Sequence, residues 1–330
     1  MMRAWRHFAG LLIGIVFIAR VTTTARAEGP SLAELKGALV SGAAQEQLSA
    51  MDALAKKGSQ SIGVLCDVIE NVADARAKER ATQTLEKILE RPASRDAATL
   101  ERLGRLLASR DRKIVETAGR SLMHFKRNAR VREMLKKSVR DADDDDTAAA
   151  LLGAVMVAID GDKTEAPYFA GMLKHRSPAI RIWAAGYLGA LGSQEGAEEC
   201  KHVLSLPPST GKIRTLQMRA AIAAGRIGDP SLIPALERVG GSPDYDLASK
   251  EARTAIREIR LGMLKSADQR TAYLRDALVD DDSFAWGINH LRAIGDGPAV
   301  AALEWGAANG TEASRHAANR ALDVMKANQK

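Results

Sequence analysis

A chain of 330 residues with only 4% aromatic and 27% charged side chains, and with glycine and proline gathered in short clusters, has the composition of packed amphipathic helices. That composition excludes a β-sandwich or barrel, and two cysteines exclude a disulfide framework. The formal charge of +7 falls to +3 without residues 1–27, which hold four of the 48 basic residues and none of the 41 acidic ones. The strong basic excess expected of a general nucleic-acid binder is therefore missing.

Residues 1–27 place Arg3 and Arg6 ahead of an apolar run from Phe8 to Ala19 and close on Ala25-Arg26-Ala27. That is the order of an export signal. The run is shorter than the roughly 20 residues that span a bilayer, and no later stretch is long and apolar enough to do so. The expectation is a cleaved signal, one continuous domain over 28–330, a periplasmic or extracellular location and no stable membrane insertion.

Ser31-Leu32-Ala33-Glu34 then reads as a capping box opening the first helix. Beyond it the chain repeats. The last apolar residue before each turn falls at Ala55, Leu89, Phe125, Ile159, Leu191, Ile227, Leu261 and Ile294, in steps of 34, 36, 34, 32, 36, 34 and 33. Counting back from these markers, apolar residues recur at seven, four, three and zero positions. Examples are Ala184, Tyr187, Leu188 and Leu191, and again Ala220, Ala223, Ala224 and Ile227. This is one stripe on a helix of 3.6 residues per turn. A second, shorter helix follows each turn, as at Leu232, Ile233, Leu236 and Val239. The alternation that marks strands is absent.

Gly228-Asp229-Pro230 carries the mechanism of the turn. Gly228 suits the left-handed residue that ends a helix, Asp229 suits the cap of the next helix, and Pro230 fits its first position. A dinucleotide loop wants a strand before its glycines, which removes that reading here and at Gly295-Asp296-Gly297.

The strings IRIWAAGYLGALGSQEGAEECKHVL (180–204) and MRAAIAAGRIGDPSLIPALERV (218–239) resemble HEAT-like repeats of the phycobilisome-lyase type. There an (Ile/Val)-Arg pair and alanines precede Leu-Gly or Ile-Gly-Asp, and a second helix follows. Ile180-Arg181 and Met218-Arg219 match that opening. The resemblance covers about 178–240 and again 284–305 and is loose upstream of 145. The copy ending at Leu261 departs from it, with no aspartate after Gly262. It implies an all-α fold, a right-handed alpha-solenoid (HEAT-like or armadillo-like superhelix) of about eight helical hairpins whose concave side, lined by second helices, binds a partner protein. It carries no catalytic residue across. The loops Ser205–Gly211 and Gly240–Asp246 are expected to project from one edge, and Glu312–Met325 reads as a lone helix closing the array.

Candidate chemistry is sparse. His124, His175, His202, His290 and His316 are scattered, and Cys200-Lys201-His202 is too small a ligand set for zinc. His290, on an apolar stripe, reads as a core histidine. Cys66 and Cys200 read as small buried hydrophobes. The runs Asp141 with Asp143–Asp146 and Asp280–Asp282 lack the alternating ligands and central glycine of a calcium loop and read as helix-start caps. Asn309-Gly310-Thr311 is a glycosylation acceptor only in a eukaryotic secretory route. No catalytic residue, metal site or cofactor is expected.

One feature is uneven. Residues 101–140 hold 13 Lys/Arg and 4 Asp/Glu, whereas residues 141–200 hold 4 and 11. In VREMLKKSVR, an inner stripe of Val131, Met134, Leu135 and Ser138 leaves Arg130, Arg132, Lys136, Lys137 and Arg140 facing outward, either as a solvated surface or as a partner-binding patch. The expected function is an exported, non-catalytic scaffold or adaptor that binds a protein partner of anionic or mixed charge. No nucleic acid is expected, since the stretch lacks aromatics to stack on bases. The alternatives are a lyase-like or chromophore-handling enzyme, as the resemblance implies, or a binding module for envelope polymers or lipids.

Overall fold

A computed structural model describes residues 29–207, 210–242 and 247–328. The expected export segment lies outside them, as do Pro208 and Ser209 of the first long loop and residues 243–246 of the second. Among the described residues every regular element is a helix. They divide into two compact units, one running to Asp143 with Gly153–Ala158, the other taking Asp144–Leu152 and everything from Ile159 onward.

The first unit contains α1 (Leu32–Ser41), α2 (Ala44–Lys57), α3 (Ile62–Asn71), α4 (Ala75–Leu89), α5 (Ala97–Leu106), α6 (Arg112–Leu122) and α7 (Ala129–Asp141). Helix α8 (Asp145–Ile159) contributes residues to both units. Local chemistry opens these helices, at the first of them as the sequence predicts. Ser31 and Glu34 form the reciprocal capping box of α1, and Asp74, Asp96, Asp111 and Asn128 each accept a backbone N–H at the start of the helix they precede. Packing is between sequence neighbours. Helices α1, α3 and α5 form one layer, α2, α4 and α6 the other, and α1–α2, α3–α4 and α5–α6 are hairpins. Leu39, Leu54, Leu65, Leu85, Leu103 and Leu122 are fully buried between the layers, each stabilising the fold by about 1.5–3 kcal/mol.

The second unit continues with α9 (Ala166–Met172), α10 (Pro178–Ala190), α11 (Ala197–Leu204), α12 (Gly211–Ile227), α13 (Ile233–Gly240), α14 (Leu247–Met263), α15 (Ala267–Asp276), α16 (Phe284–Ile294), α17 (Gly297–Asn309) and α18 (Glu312–Asn328). The same rule holds. The first helices of successive pairs, α10, α12 and α14, lie side by side, as do the second helices α11 and α13, and then α15 and α17. Burial is correspondingly local: residues from Ile182 to Ile259 make one core and those from Leu274 to Leu322 another. The closing helix is α18, as expected. Neighbour-only stacking of hairpins is the solenoid packing that the turn spacing predicts.

The turn at Gly228 is a turn. Gly228 has φ +71°, its N–H donates to the Ala224 carbonyl, and the Asp229 carboxylate accepts the Ser231 N–H at 2.9 Å. Gly295 (φ +72°) and Asp296, which accepts the Ala299 N–H at 2.9 Å, repeat it. Six of the eight markers are buried. Leu261 is only partly buried because α14 runs on through Gly262 to Met263, so no left-handed glycine ends that copy. Ile294 is 44% exposed, since α16 turns Ile288 and Leu291 inward instead.

The arginine of the repeat opening is consumed structurally. Arg181 donates from Nη1 to the carbonyls of His175 (2.9 Å) and Arg176 (3.2 Å), and its Nε meets Glu199 Oε1 at 2.9 Å. Arg253 donates to the Gly240 carbonyl at 2.7 Å, and Gln217 does the same to the Leu206 carbonyl at 2.8 Å. In both cases, as with Arg181, the acceptor lies at the exit of the preceding helix. The structural equivalent of Arg181 in the middle copy is thus Gln217. Arg219, which the motif suggests, instead lies over the Trp183 ring at 5.6 Å.

Two glycines test this packing with opposite physics. Gly228→Ala has open space but must hold φ +71°, which costs a residue with a side chain about 1–2 kcal/mol. Gly189→Ala gains about 1 kcal/mol of helix propensity, yet its methyl would stand 2.7 Å from the Ile227 backbone nitrogen, an overpacking worth about 1–3 kcal/mol. Urea titration is expected to find both variants less stable. A Gly189→Ala chain more stable than the parent would mean that α10 and α12 separate freely.

Candidate functional site

The charged stretch is carried by α5 and α7, the helices that follow the turn markers Leu89 and Phe125 in the first unit. In α5, Thr99, Leu100, Leu103 and Leu106 are buried, which leaves Arg102 and Arg105 exposed. Met134 of α7 reaches α5 at Gly104, where a β-carbon would stand 2.5 Å from its Cε. The two helices therefore present their outer faces side by side.

In α7 the buried row is Val131, Leu135, Lys136 and Val139, rotated from the predicted Val131, Met134, Leu135 and Ser138. The β-branched Val139 takes the core position in place of Ser138. This corrects two of the five predicted patch residues, Lys136 and Arg132, which leave the exposed face. Lys136 is only 9% exposed; its aliphatic stem lies along the core and its Nζ donates to Glu133 Oε1 at 2.9 Å. That hydrogen bond, with the charges of Lys136, Arg140 and Arg132, holds the Glu133 carboxyl below its ordinary range. Arg132 is half-buried, whereas Arg130, Lys137 and Arg140 are exposed. The exposed cationic face is therefore Arg102, Arg105, Arg130, Lys137 and Arg140. The two α5 arginines were legible from the Leu100, Leu103, Leu106 row, by the same argument that found the others.

Candidate nucleophiles sit elsewhere and are unsuited. Cys66 on α3 and Cys200 on α11 are buried. Burial pushes the Cys66 thiol up to about 11, with Arg102 and Arg105 drawing it back in part, and pushes Cys200 up to about 12, with Glu199 adding to the rise. Among the described residues no group of three His, Cys, Asp or Glu side chains is placed to hold a metal ion. The acidic runs are engaged at helix starts. Asp144 accepts the N–H groups of Asp146 (3.0 Å) and Thr147 (2.9 Å), and Asp280 that of Asp282 (3.3 Å).

His290 departs from the core position expected for it. It is half-buried, its Nε2 lies 2.9 Å from Glu258 Oε1, and Trp286 Nε1 donates to the same oxygen at 2.7 Å. The Trp286 ring contacts His290 (4.8 Å between centroids) and meets Tyr273 edge-on (6.0 Å). Burial pushes the Glu258 carboxyl up, but these two hydrogen bonds outweigh it and hold the group below its ordinary value of 4.5. The cluster links α14 to α16; it needs side chains 28 and 32 residues apart, which no local pattern announces.

No family model matches the sequence, and no curated protein does. Among solved structures the chain is similar to the complex of CpcE and CpcF of phycocyanin lyase from Nostoc sp. PCC7120, at 17% identity and TM-score 0.42, over 76% of this chain and 94% of that one. It is similar to human deoxyhypusine hydroxylase at 15% identity and TM-score 0.33, over 89% and 96%. It is also similar to an archaeal HEAT-like repeats protein from Thermococcus onnurineus NA1 at 14% identity and TM-score 0.30, over 91% and 98%.

At pH 8 a thiol of pKa about 11 is ionised about once in a thousand molecules. A thiol-specific disulfide reagent is therefore expected to leave both cysteines unmodified in the folded chain and to titrate both in guanidinium; reaction at the rate of a free cysteine would contradict the burial. The depressed Glu258 carboxyl contributes stability that is present above the ordinary value of 4.5 and lost as pH falls through the lowered one. Glu258→Gln is expected to cost about 1 kcal/mol at neutral pH, since the site is partly exposed. In urea titrations the difference from the parent should shrink at about pH 3.

Proposed function

We propose that the chain is an exported, non-catalytic adaptor whose outer face on α5 and α7 captures an acidic partner protein. The observation that carries the reading is the set Arg102, Arg105, Arg130, Lys137 and Arg140: all five are exposed, and among the described residues none is held by a hydrogen bond or ion pair. Exposed cations on adjacent helices select a partner of opposite charge and speed its approach. Neither helix carries an aromatic residue on which a base would stack, which favours a protein over a single-stranded nucleic acid. The two protonated thiols support a role without covalent catalysis, and the order of charged, apolar and small residues in 1–27 supports export. The distant likeness to helical repeat structures agrees with a protein-binding role and adds no residue to it.

The test is capture from an extract of the source organism at about 50 and 300 mM salt, comparing the parent with Arg105→Glu/Lys137→Glu/Arg140→Glu. All three positions are exposed, so the thermal melt is expected to stay unchanged. An acidic protein should be retained at low salt by the parent and lost, by about tenfold or more, with the triple variant. Equal capture by both chains, with equal salt dependence, would remove this face from the function.

A further inference from the structure

The groove between α16 and α18 in the second unit lies on different helices and has a different chemistry. Helix α16 lines it with Ala285 and the residues three, four and seven positions on, and α18 does the same from Ala317. Both helices thus give one face over two turns, a groove about 10 Å long at 1.5 Å per residue. Its volume is about 240 Å³.

The lining combines bare apolar surface with unspent charge. Ile288 forms the floor against the core, while Val324 on the wall is 45% exposed. Arg292 and Arg320 stand exposed on opposite sides. Among the described residues neither makes a hydrogen bond or an ion pair, and no carboxylate lines the groove. Arg292 lies in the last turn of α16, where a cation suits the helix end; Arg320 is mid-helix on α18 and has no such reason to be there. Solvated arginines alone would need no account, but here they bracket an apolar trough whose wall residue Val324 stays exposed.

The size decides what fits. Sites for whole small molecules run from about 300 to 1,000 Å³, so this groove is too small for a cofactor or an enclosed acyl chain. It suits one or two aliphatic side chains projecting from a longer segment. A helix presents such side chains three or four residues apart, with its remaining faces free for charge.

We propose that the α16–α18 groove is a docking site for an acidic amphipathic helix of a partner protein. Its aliphatic anchors enter against Ile288 and Val324, and carboxylates flanking those anchors pair with the guanidinium forks of Arg292 and Arg320. The inference is independent of the face on α5 and α7 and would stand if that face proved inert.

The probe is a labelled synthetic helix of about sixteen residues, long enough to be helical alone, with leucines on one stripe and glutamates beside them. A second probe has lysine in place of each glutamate. Fluorescence anisotropy with the full chain is expected to show binding of the glutamate probe and at least about tenfold weaker binding of the lysine probe. Arg292→Glu/Arg320→Glu should weaken the glutamate probe by a similar factor. Ala285→Trp should do so as well, by filling the groove at an exposed position without touching charge. Arg76→Glu/Lys250→Glu, exposed and outside both faces, should leave it unchanged. Absence of binding, equal binding of the two probes, or unchanged affinity in the groove variants would overturn the proposal. So would equal loss with the Arg76/Lys250 variant, or association only with phosphatidylglycerol vesicles.

Discussion

Close approach of neighbouring helices is the constraint from which the other features of each unit follow. In the second unit the backbones of α10, α12 and α14 meet at small residues: Gly186 against Ala223, Gly189 against the backbone at Arg226 and Ile227, and Gly225 against Ala255. Such crossings extend dispersion contact along a whole helix face at the cost of one side chain. They also confine burial to adjacent helices, so each helix answers to the neighbours that flank it and to no distant segment. The outward face is thereby released from any duty in folding. Charge can accumulate there, as on α5 and α7, with little effect on the core.

That division of labour explains why part of the architecture is legible in the sequence. Turn chemistry is local: a left-handed glycine, an aspartate cap and a proline act within four residues, so Gly228-Asp229-Pro230 can be read without a partner. The burial stripes of α10 and α12 are nearly as local, because alanine, leucine and isoleucine occupy them without competition. The stripe of α7 is less clear. Its polar sequence offers Met134, Lys136, Ser138 and Val139 as rivals for two places, and the choice is made by what α5 presents opposite, Gly104 to Met134. Lys136 can turn inward because most of its length is hydrocarbon.

Features assembled from two pairs are not legible. Glu258 meets Trp286 and His290 only because α14 lies against α16, and the α16–α18 groove joins residues 32 positions apart that are unremarkable in their own helices. The markers at Leu261 and Ile294 fail for a related reason. The repeat sets the length of a pair, but the packing of each pair sets which residue of the last turn is buried. Sequence period and buried register are separate quantities, and they drift apart toward the C-terminal copies.

The clamps made by Arg181, Gln217 and Arg253 recur at intervals of 36 residues, and each ties a first helix to the exit of the helix before it. A joint of this kind is carried whole within one block of chain. Duplication of 36 residues would therefore carry one whole joint with it, whereas a change of length within a joint, as between Leu206 and Gln217, would sever it. Between Arg181 and Arg253 the joint and the block that carries it thus have the same period, so an added copy would arrive with its own fastening.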